Sequence, residues 1–409
     1  MKYVLVGNGP AAVGCIEAIR KNDAEGEIVL FSKEPEHTYS RPLISYLLLG
    51  RTDETRMRYR SPDFYAANRV DFRKGVAVTA IDPKAQVVTA EDGTQTSYDK
   101  LLLATGGHPF VPPAEGLDSV KYHTFMTLED ARSLRAALTP DSRVLIVGGG
   151  LIGLKCLEGI RGLVKQVTVV EMASQILPSI LDAEAAAMVQ RHCEAQDVTF
   201  CLGDSAAKYE QGSATLKSGR VVPFDVLVMA VGVRPSTEPA CAMGLPAQRG
   251  IPTDADGQTA IPNVYAAGDC AVSHDITTGS DRVLALLPNA YMQGEVCGTA
   301  MAGADVTHYS ALPMNAMGMF GLHMITAGSY DGEDHILRGE NSYKRLCVKD
   351  DRLMGYILVG DVERAGIYTA LIREQTPLHT IDFELMLEKP QLMAFSKRDR
   401  QIRLGGQRL

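Results

Sequence analysis

Two glycine-rich turns frame this chain: G-N-G-P-A-A, Gly7 to Ala12, follows the apolar run Lys2–Val6, and G-G-G-L-I-G, Gly148 to Gly153, follows Arg143–Val147. Each stands after a strand-like segment and opens a helical pattern. In that context glycines let a pyrophosphate approach backbone amides at a helix N-terminus. One such match is weak, but two in one chain predict an α/β protein with two Rossmann-like domains and two bound dinucleotides. The simplest chemistry needing both is hydride transfer between a nicotinamide and a flavin, because a flavin can then release electrons singly to an acceptor that nicotinamide cannot serve.

Composition agrees with an ordinary globular chain. With 409 residues, 45% hydrophobic and 22% charged, it can bury large cores and divide into two or three domains. A formal net charge of −8 gives no reason to expect nucleic acid, and no apolar run is long enough to cross a bilayer, so no membrane partner is expected. Met1-Lys2 leads directly into the first strand pattern without a cleavable leader, which places the expectation in the cytoplasm. The eight cysteines are scattered and none are spaced as C-x-x-C. Neither a redox disulfide nor a metal or iron–sulfur site is therefore expected, and buried reduced thiols are.

Further motifs follow in order. The second strand, Glu27–Phe31, ends in S-K-E, where an acid would grip an adenosine ribose; Glu34 lies near that spacing, with a solvated surface charge as its alternative. Next come Y-S-R-P-L-I-S (Tyr39 to Ser45), Y-D-K-L-L-L-A-T-G (Tyr98 to Gly106), V-G-V-R-P (Val231 to Pro235) and Y-A-A-G-D-C (Tyr265 to Cys270). With the two fingerprints, this ordered series resembles the FAD-dependent pyridine nucleotide-disulfide oxidoreductase-like family. The resemblance covers Lys2 to about Gly303, and is greatest to NADH:rubredoxin reductases and the flavin module of assimilatory nitrite reductase. N-A-M-G-M-F-G-L (Asn315 to Leu322) and M-G-Y-I-L-V-G-D (Met354 to Asp361) resemble the C-terminal domain of that subgroup.

The resemblance implies that Gly7, Gly9 and Ala12 cradle the FAD pyrophosphate, that Arg41 and Pro42 line the flavin site, and that Asp269, after Gly268, accepts from the ribityl chain. It also assigns Ala104, Thr105, Gly106 and Gly232 to the cofactor-binding motifs. The second fingerprint, with Gly148, Gly150 and Gly153, reads as the NAD(H) site. Glu171 closes the run Val167–Val170, 23 positions after Gly148, the spacing of the acid that accepts from a ribose 2′-hydroxyl. Met172-Ala173-Ser174 supply no cation for a 2′-phosphate, so NADH is the expected nucleotide.

Two departures touch the chemistry. Many relatives carry a lysine after R-P-x-L-S and a glutamate in the second fingerprint's helix; here Tyr46 and Lys155 take those places. If both reach the flavin, the positive charge has moved between elements and would still favour negative charge on the reduced ring; the alternative is that both are scaffold. Residues 39–50 contain no cysteine, so reduction through a protein thiol is not expected.

The organisation read from these anchors is an FAD-binding domain at 1–108 and 238–308, interrupted by an NAD-binding domain at 109–237 and followed by a small α+β domain at 309–409. Crossings are expected at Gly107–Pro113 and Gly232–Pro239, and the C-terminal domain at the strand-like Arg345–Val348 and Gly355–Val359 with helical Val362–Arg373. The basic tail from Lys397 reads as a solvated extension, with docking to an acidic partner as its alternative. Function is read as NADH-dependent electron transfer through FAD to a rubredoxin- or ferredoxin-type carrier. The alternative is an electron-transfer subunit inside a larger iron–sulfur or metal-cofactor oxidoreductase, where NAD⁺ is reduced.

Overall fold

The computed structural model describes residues 1–309 and 311–405. Its first sheet has five parallel strands in the order Val264–Ala266, Lys100–Leu103, Lys2–Val6, Glu27–Ser32 and Val70–Lys74. Both faces of the four strands from Val264–Ala266 to Glu27–Ser32 are covered, which is why those are nearly continuously apolar, whereas the edge strand Val70–Lys74 carries exposed charges. Tyr3 and Leu5 pack under the helices Pro10–Asn22 and Leu287–Met301, while Val4 and Val6 pack toward Val88 and Ala90 of an antiparallel three-stranded sheet. The two helices touch backbone to backbone. A methyl at Gly294 would stand 1.9 Å from the Ala11 carbonyl oxygen, and one at Gly298 2.4 Å from that of Cys15.

The second sheet repeats the plan, in the order Val198–Leu202, Gln166–Glu171, Arg143–Val147, Val226–Met229 and Tyr122–His123, again all parallel. Val144 and Ile146 face the helix Leu151–Ile160, and Leu145 and Val147 face the antiparallel hairpins around Tyr209 and Leu216. The chain passes between the two sheets along Gly107–Pro109 and Val233–Pro235, which pair antiparallel with each other.

The C-terminal sheet is antiparallel, in the order Met314–Met319, Leu322–Gly328, Arg352–Val359, Tyr343–Lys349 and Glu333–Arg338. One face carries the helix Ala365–Arg373, and the other sends Met317, Met319, Ile357 and Val359 into the core of the second sheet's domain. The tail departs from the expectation of a solvated extension: Lys397–Gly405 is a helix whose Arg403 pairs with Glu374 and lies 4.3 Å from the Phe395 ring. Residues 406–409 of that tail lie outside the described residues.

Candidate functional site

The two fingerprints build matching cradles. At Gly7, φ is +108° and a Cβ would stand 2.0 Å from the Ala104 carbonyl oxygen; at Gly148, φ is +113° and the corresponding distance, to Ala230, is 2.3 Å. These glycines are demanded by the turn itself. Gly9 and Gly150 are different. Both have extended backbone that any residue adopts, and nothing lies within 4 Å of a Cβ placed on either. Each begins a helix with no side-chain cap, leaving amide donors open at the positive end of the helix. The protein's own packing thus gives no reason for glycine there, whereas a phosphate seated on those amides does. The third positions diverge: Ala12 is accommodated as a fully buried methyl, but one at Gly153 would meet the Gly148 oxygen at 2.0 Å.

Glu171 closes its strand beside the second cradle. Its Oε2 accepts from the Gly149 amide at 2.7 Å and its Oε1 from the Ala173 amide at 2.8 Å, so the carboxylate is fixed on the glycine-rich turn before any nucleotide arrives.

Beside the first cradle, Arg41 and Pro42 lie in a single 3₁₀ turn, Arg41–Leu43. The Arg41 guanidinium donates to the Met126 carbonyl at 3.0 Å and forms an ion pair with Glu34. Glu34 also accepts from the Tyr39 hydroxyl at 2.6 Å, while that hydroxyl accepts from the Leu128 amide at 2.9 Å. Glu34 is therefore neither free in solvent nor saturated, because a carboxylate has about four acceptor sites. Burial pushes the Asp269 carboxyl above its ordinary value and Arg41 pulls it back, so these two sequence-distant candidates share one neighbourhood. The Gly268 amide donates to Gln293 Oε1 at 2.7 Å, which fixes the turn that carries Asp269.

The A-T-G segment is tied to the second crossing. Thr105 Oγ1 donates to the Ser236 carbonyl at 2.5 Å, and the Ser236 amide donates to Gly106 at 2.9 Å. Gly232, with φ +136°, accepts from the Phe110 amide at 2.9 Å.

Tyr46 and Lys155 come together. The helix Ile44–Leu48 packs on Leu151–Ile160, and Lys155 Nζ stands 4.7 Å from the Tyr46 ring centre. Lys155 also forms an ion pair with Glu158, a residue that sequence reasoning passed over although it sits one helical turn away. Tyr39 was missed as well; its place two residues before Arg41 was the available signal. The thiols of Cys15, Cys156, Cys270 and Cys297 are fully buried, and desolvation pushes all four upward, away from thiolate.

These cradles fit two dinucleotides: each has a glycine whose absent side chain serves only a ligand, open helix-terminal amides, and an acid at the neighbouring strand end. The pair can hold two redox cofactors in one protein. Among the described residues, no helix is long and apolar enough to cross a membrane.

Comparison with known proteins supports this geometry. Residues 1–294 match the family model described as pyridine nucleotide-disulphide oxidoreductase, and residues 313–376 match the rubredoxin NAD⁺ reductase C-terminal domain. The chain is 33% identical over 390 residues to the NADH-dependent phenylglyoxylate dehydrogenase subunit epsilon of Aromatoleum evansii, covering 92% of each. It is 30% identical over 311 residues to a rubredoxin-NAD(+) reductase of Pseudomonas putida, covering 75% of this chain and 81% of that one. Among solved structures, a chain of the covalent putidaredoxin reductase–putidaredoxin complex superposes with a TM-score of 0.86 at 25% identity, over 99% of this chain and 98% of that one.

Proposed function

The chain belongs to the pyridine nucleotide-disulphide oxidoreductase family, and we propose from that premise that it passes electrons between NADH and a separate iron-containing carrier of rubredoxin or ferredoxin type, by way of FAD and with no redox-active disulfide. It is an NAD(H)-dependent flavoprotein oxidoreductase. The observation that carries the reading is the repeated cradle, in which Gly9 and Gly150 leave ligand space at two equivalent strand–turn–helix units of one chain.

The first cradle, with Gly7, Gly9 and Ala12, holds the FAD pyrophosphate on open helix amides. Arg41 and Pro42 line the flavin ring, Ala104, Thr105, Gly106 and Gly268 shape its floor, and Asp269 receives ribityl hydroxyls. Glu34 orients Arg41 and retains acceptor capacity for the FAD ribose. On the second cradle, Gly148, Gly150 and Gly153 receive the NADH pyrophosphate, Gly232 frames the nicotinamide end, and Glu171 takes the adenosine ribose. Tyr46 and Lys155 stand where the two cofactors' reactive ends meet. When bound, the flavin supplies the two-electron to one-electron conversion that the nicotinamide lacks. The residues' task is positioning and exclusion of water, since stacked hydride transfer needs close approach more than an acid or base. We place the domains at 1–108 with 238–308, 109–237 and 309–409, and the protein in the cytoplasm.

A second reading is favoured by the full-length match, 92% of each chain, to a protein named as a dehydrogenase subunit. In it, the same site serves as the NAD⁺-reducing arm of a larger iron–sulfur assembly. One experiment addresses both. Purified protein is freed of oxygen, reduced with NADH and mixed with rubredoxin or ferredoxin, while native protein is separately isolated with whatever accompanies it. Fast reoxidation by the free carrier supports the first reading, and stable co-purification with an iron–sulfur subunit supports the second. FMN as the only released flavin, or loss of turnover on alkylation of one cysteine, would sink both.

A further inference from the structure

Three parts of the chain meet at one buried ion pair. Lys155 and Glu158 lie one turn apart on the helix Leu151–Ile160, with side chains 19% and 5% exposed. The Lys155 ammonium rests against the Tyr46 ring at 4.7 Å and donates to the Gly318 carbonyl at 3.3 Å. The second carboxylate oxygen of Glu158, Oε1, accepts from the Phe320 amide at 3.0 Å. Tyr46 belongs to the short helix Ile44–Leu48, which follows the second strand in sequence and buries Ile44 and Leu48 in the core of the second sheet's domain, and Gly318 and Phe320 to the first hairpin of the C-terminal sheet. The ammonium and both carboxylate oxygens are thus each engaged, by one another and by the backbone of the C-terminal hairpin.

That geometry changes what Lys155 can do. A lone ammonium beside a flavin would raise the ring's affinity for electrons by favouring the negative charge that reduction brings. Here a carboxylate sits in contact with it, and the two form a dipole whose field falls off faster than that of a single charge. We propose that Glu158 is a positioning residue for the redox site: it cancels the charge of Lys155, holds the ammonium on the Tyr46 ring, and through Phe320 locks the C-terminal sheet onto this contact. The inference rests on the reading above that Tyr46 and Lys155 stand beside the bound flavin. It explains how both could exchange the family's residues without presenting the flavin with an uncompensated charge.

The test is a double-mutant cycle read by flavin midpoint potential against a reference dye, with thermal midpoints of the FAD-free chain measured in parallel. Glu158→Gln leaves an unpaired ammonium and is expected to raise the potential; Lys155→Met leaves an unpaired carboxylate and is expected to lower it. The double variant is expected to return to the wild-type potential, and its thermal midpoint to recover part of the loss seen in each single variant, because removing both partners of a buried pair leaves no stranded charge. Lys155→Arg, which keeps the pair, is expected to hold the wild-type potential and guards against a variant that does not fold. The proposal is overturned if Lys155→Met and the double variant fall equally while Glu158→Gln is silent, or if no variant shifts the potential of a normally bound FAD. Absence of FAD from the wild type would instead refute the cofactor reading; thermal losses that simply add in the FAD-free chain would then overturn the pairing itself.

Discussion

Replacing Gly150 with alanine separates the two cradles cleanly. The backbone at Gly150, φ −82° and ψ −172°, is open to any residue, and no protein atom lies within 4 Å of the new methyl. Folding is therefore expected to be unharmed, or improved by roughly 0.4–1 kcal/mol through a less free unfolded chain. The methyl instead occupies the space in front of the amides that open the helix Leu151–Ile160. Displacing a pyrophosphate from them forfeits at least one hydrogen bond to a charged group, roughly 1.5–3 kcal/mol. At about 1.4 kcal/mol per tenfold, NADH binding weakens by roughly 10- to 150-fold. Gly9→Ala applies the same change to the first cradle and is expected to cost FAD retention instead, again without a folding defect. Calorimetric titration of NADH, released-flavin content and the thermal midpoint distinguish these outcomes. The argument is refuted if Gly150→Ala binds NADH like the wild type, or if it sheds FAD while NADH affinity survives. Gly148→Ala is the contrast: its methyl would meet the Ala230 oxygen at 2.3 Å, so it is expected to damage the fold itself.

Glu171→Ala removes the carboxylate fixed by the Gly149 and Ala173 amides and is expected to weaken NADH by roughly 1.5–3 kcal/mol and erode its preference over NADPH; anaerobic flavin bleaching checks this, and a wild type that favours NADPH would contradict it. Replacing Cys15, Cys156 and Cys270 singly with serine is expected to leave NADH-to-dye turnover largely intact, since burial keeps these thiols protonated, and a thiolate-to-flavin charge-transfer band in stopped-flow traces would count against that. The Arg143 guanidinium and amide hold the Asp225 carboxyl down at about 2. Its stabilising effect is present above the unfolded value of about 3.9 and lost as pH falls through the folded one. With the side chains of Asp225 and Arg143 44% and 38% exposed, solvent screening reduces the contribution to about 1 kcal/mol or less. Asp225→Asn is expected to flatten the acid limb of urea-midpoint stability between about pH 4 and pH 2; an unchanged limb would remove the pair from the account.

The parts of the site legible in the sequence are those written in short-range geometry. A glycine that must turn at φ above +100° onto a neighbouring strand's carbonyl, as Gly7 and Gly148 do, leaves its mark within six residues, and so does the strand that precedes it. Glu171 was legible because parallel register fixes how far along the next strand an acid must stand. What stayed hidden depends on contacts across hundreds of residues. The glycines at 294 and 298 look dispensable inside a helix, where each costs about 1 kcal/mol relative to alanine, until the helix Pro10–Asn22 is laid against them. Tyr39 reads as a flank of R-P but bridges Glu34 to the Leu128 amide, 89 positions away. Lys155 reads as a displaced cation because its substitution is visible, while the Glu158 that neutralises it has meaning only once the turn at Phe320, 162 positions on, closes over the pair. Sequence pattern therefore locates charges well and their compensation poorly: the first is a residue type at a spacing, and the second is a fold-level meeting of elements that share no local signal.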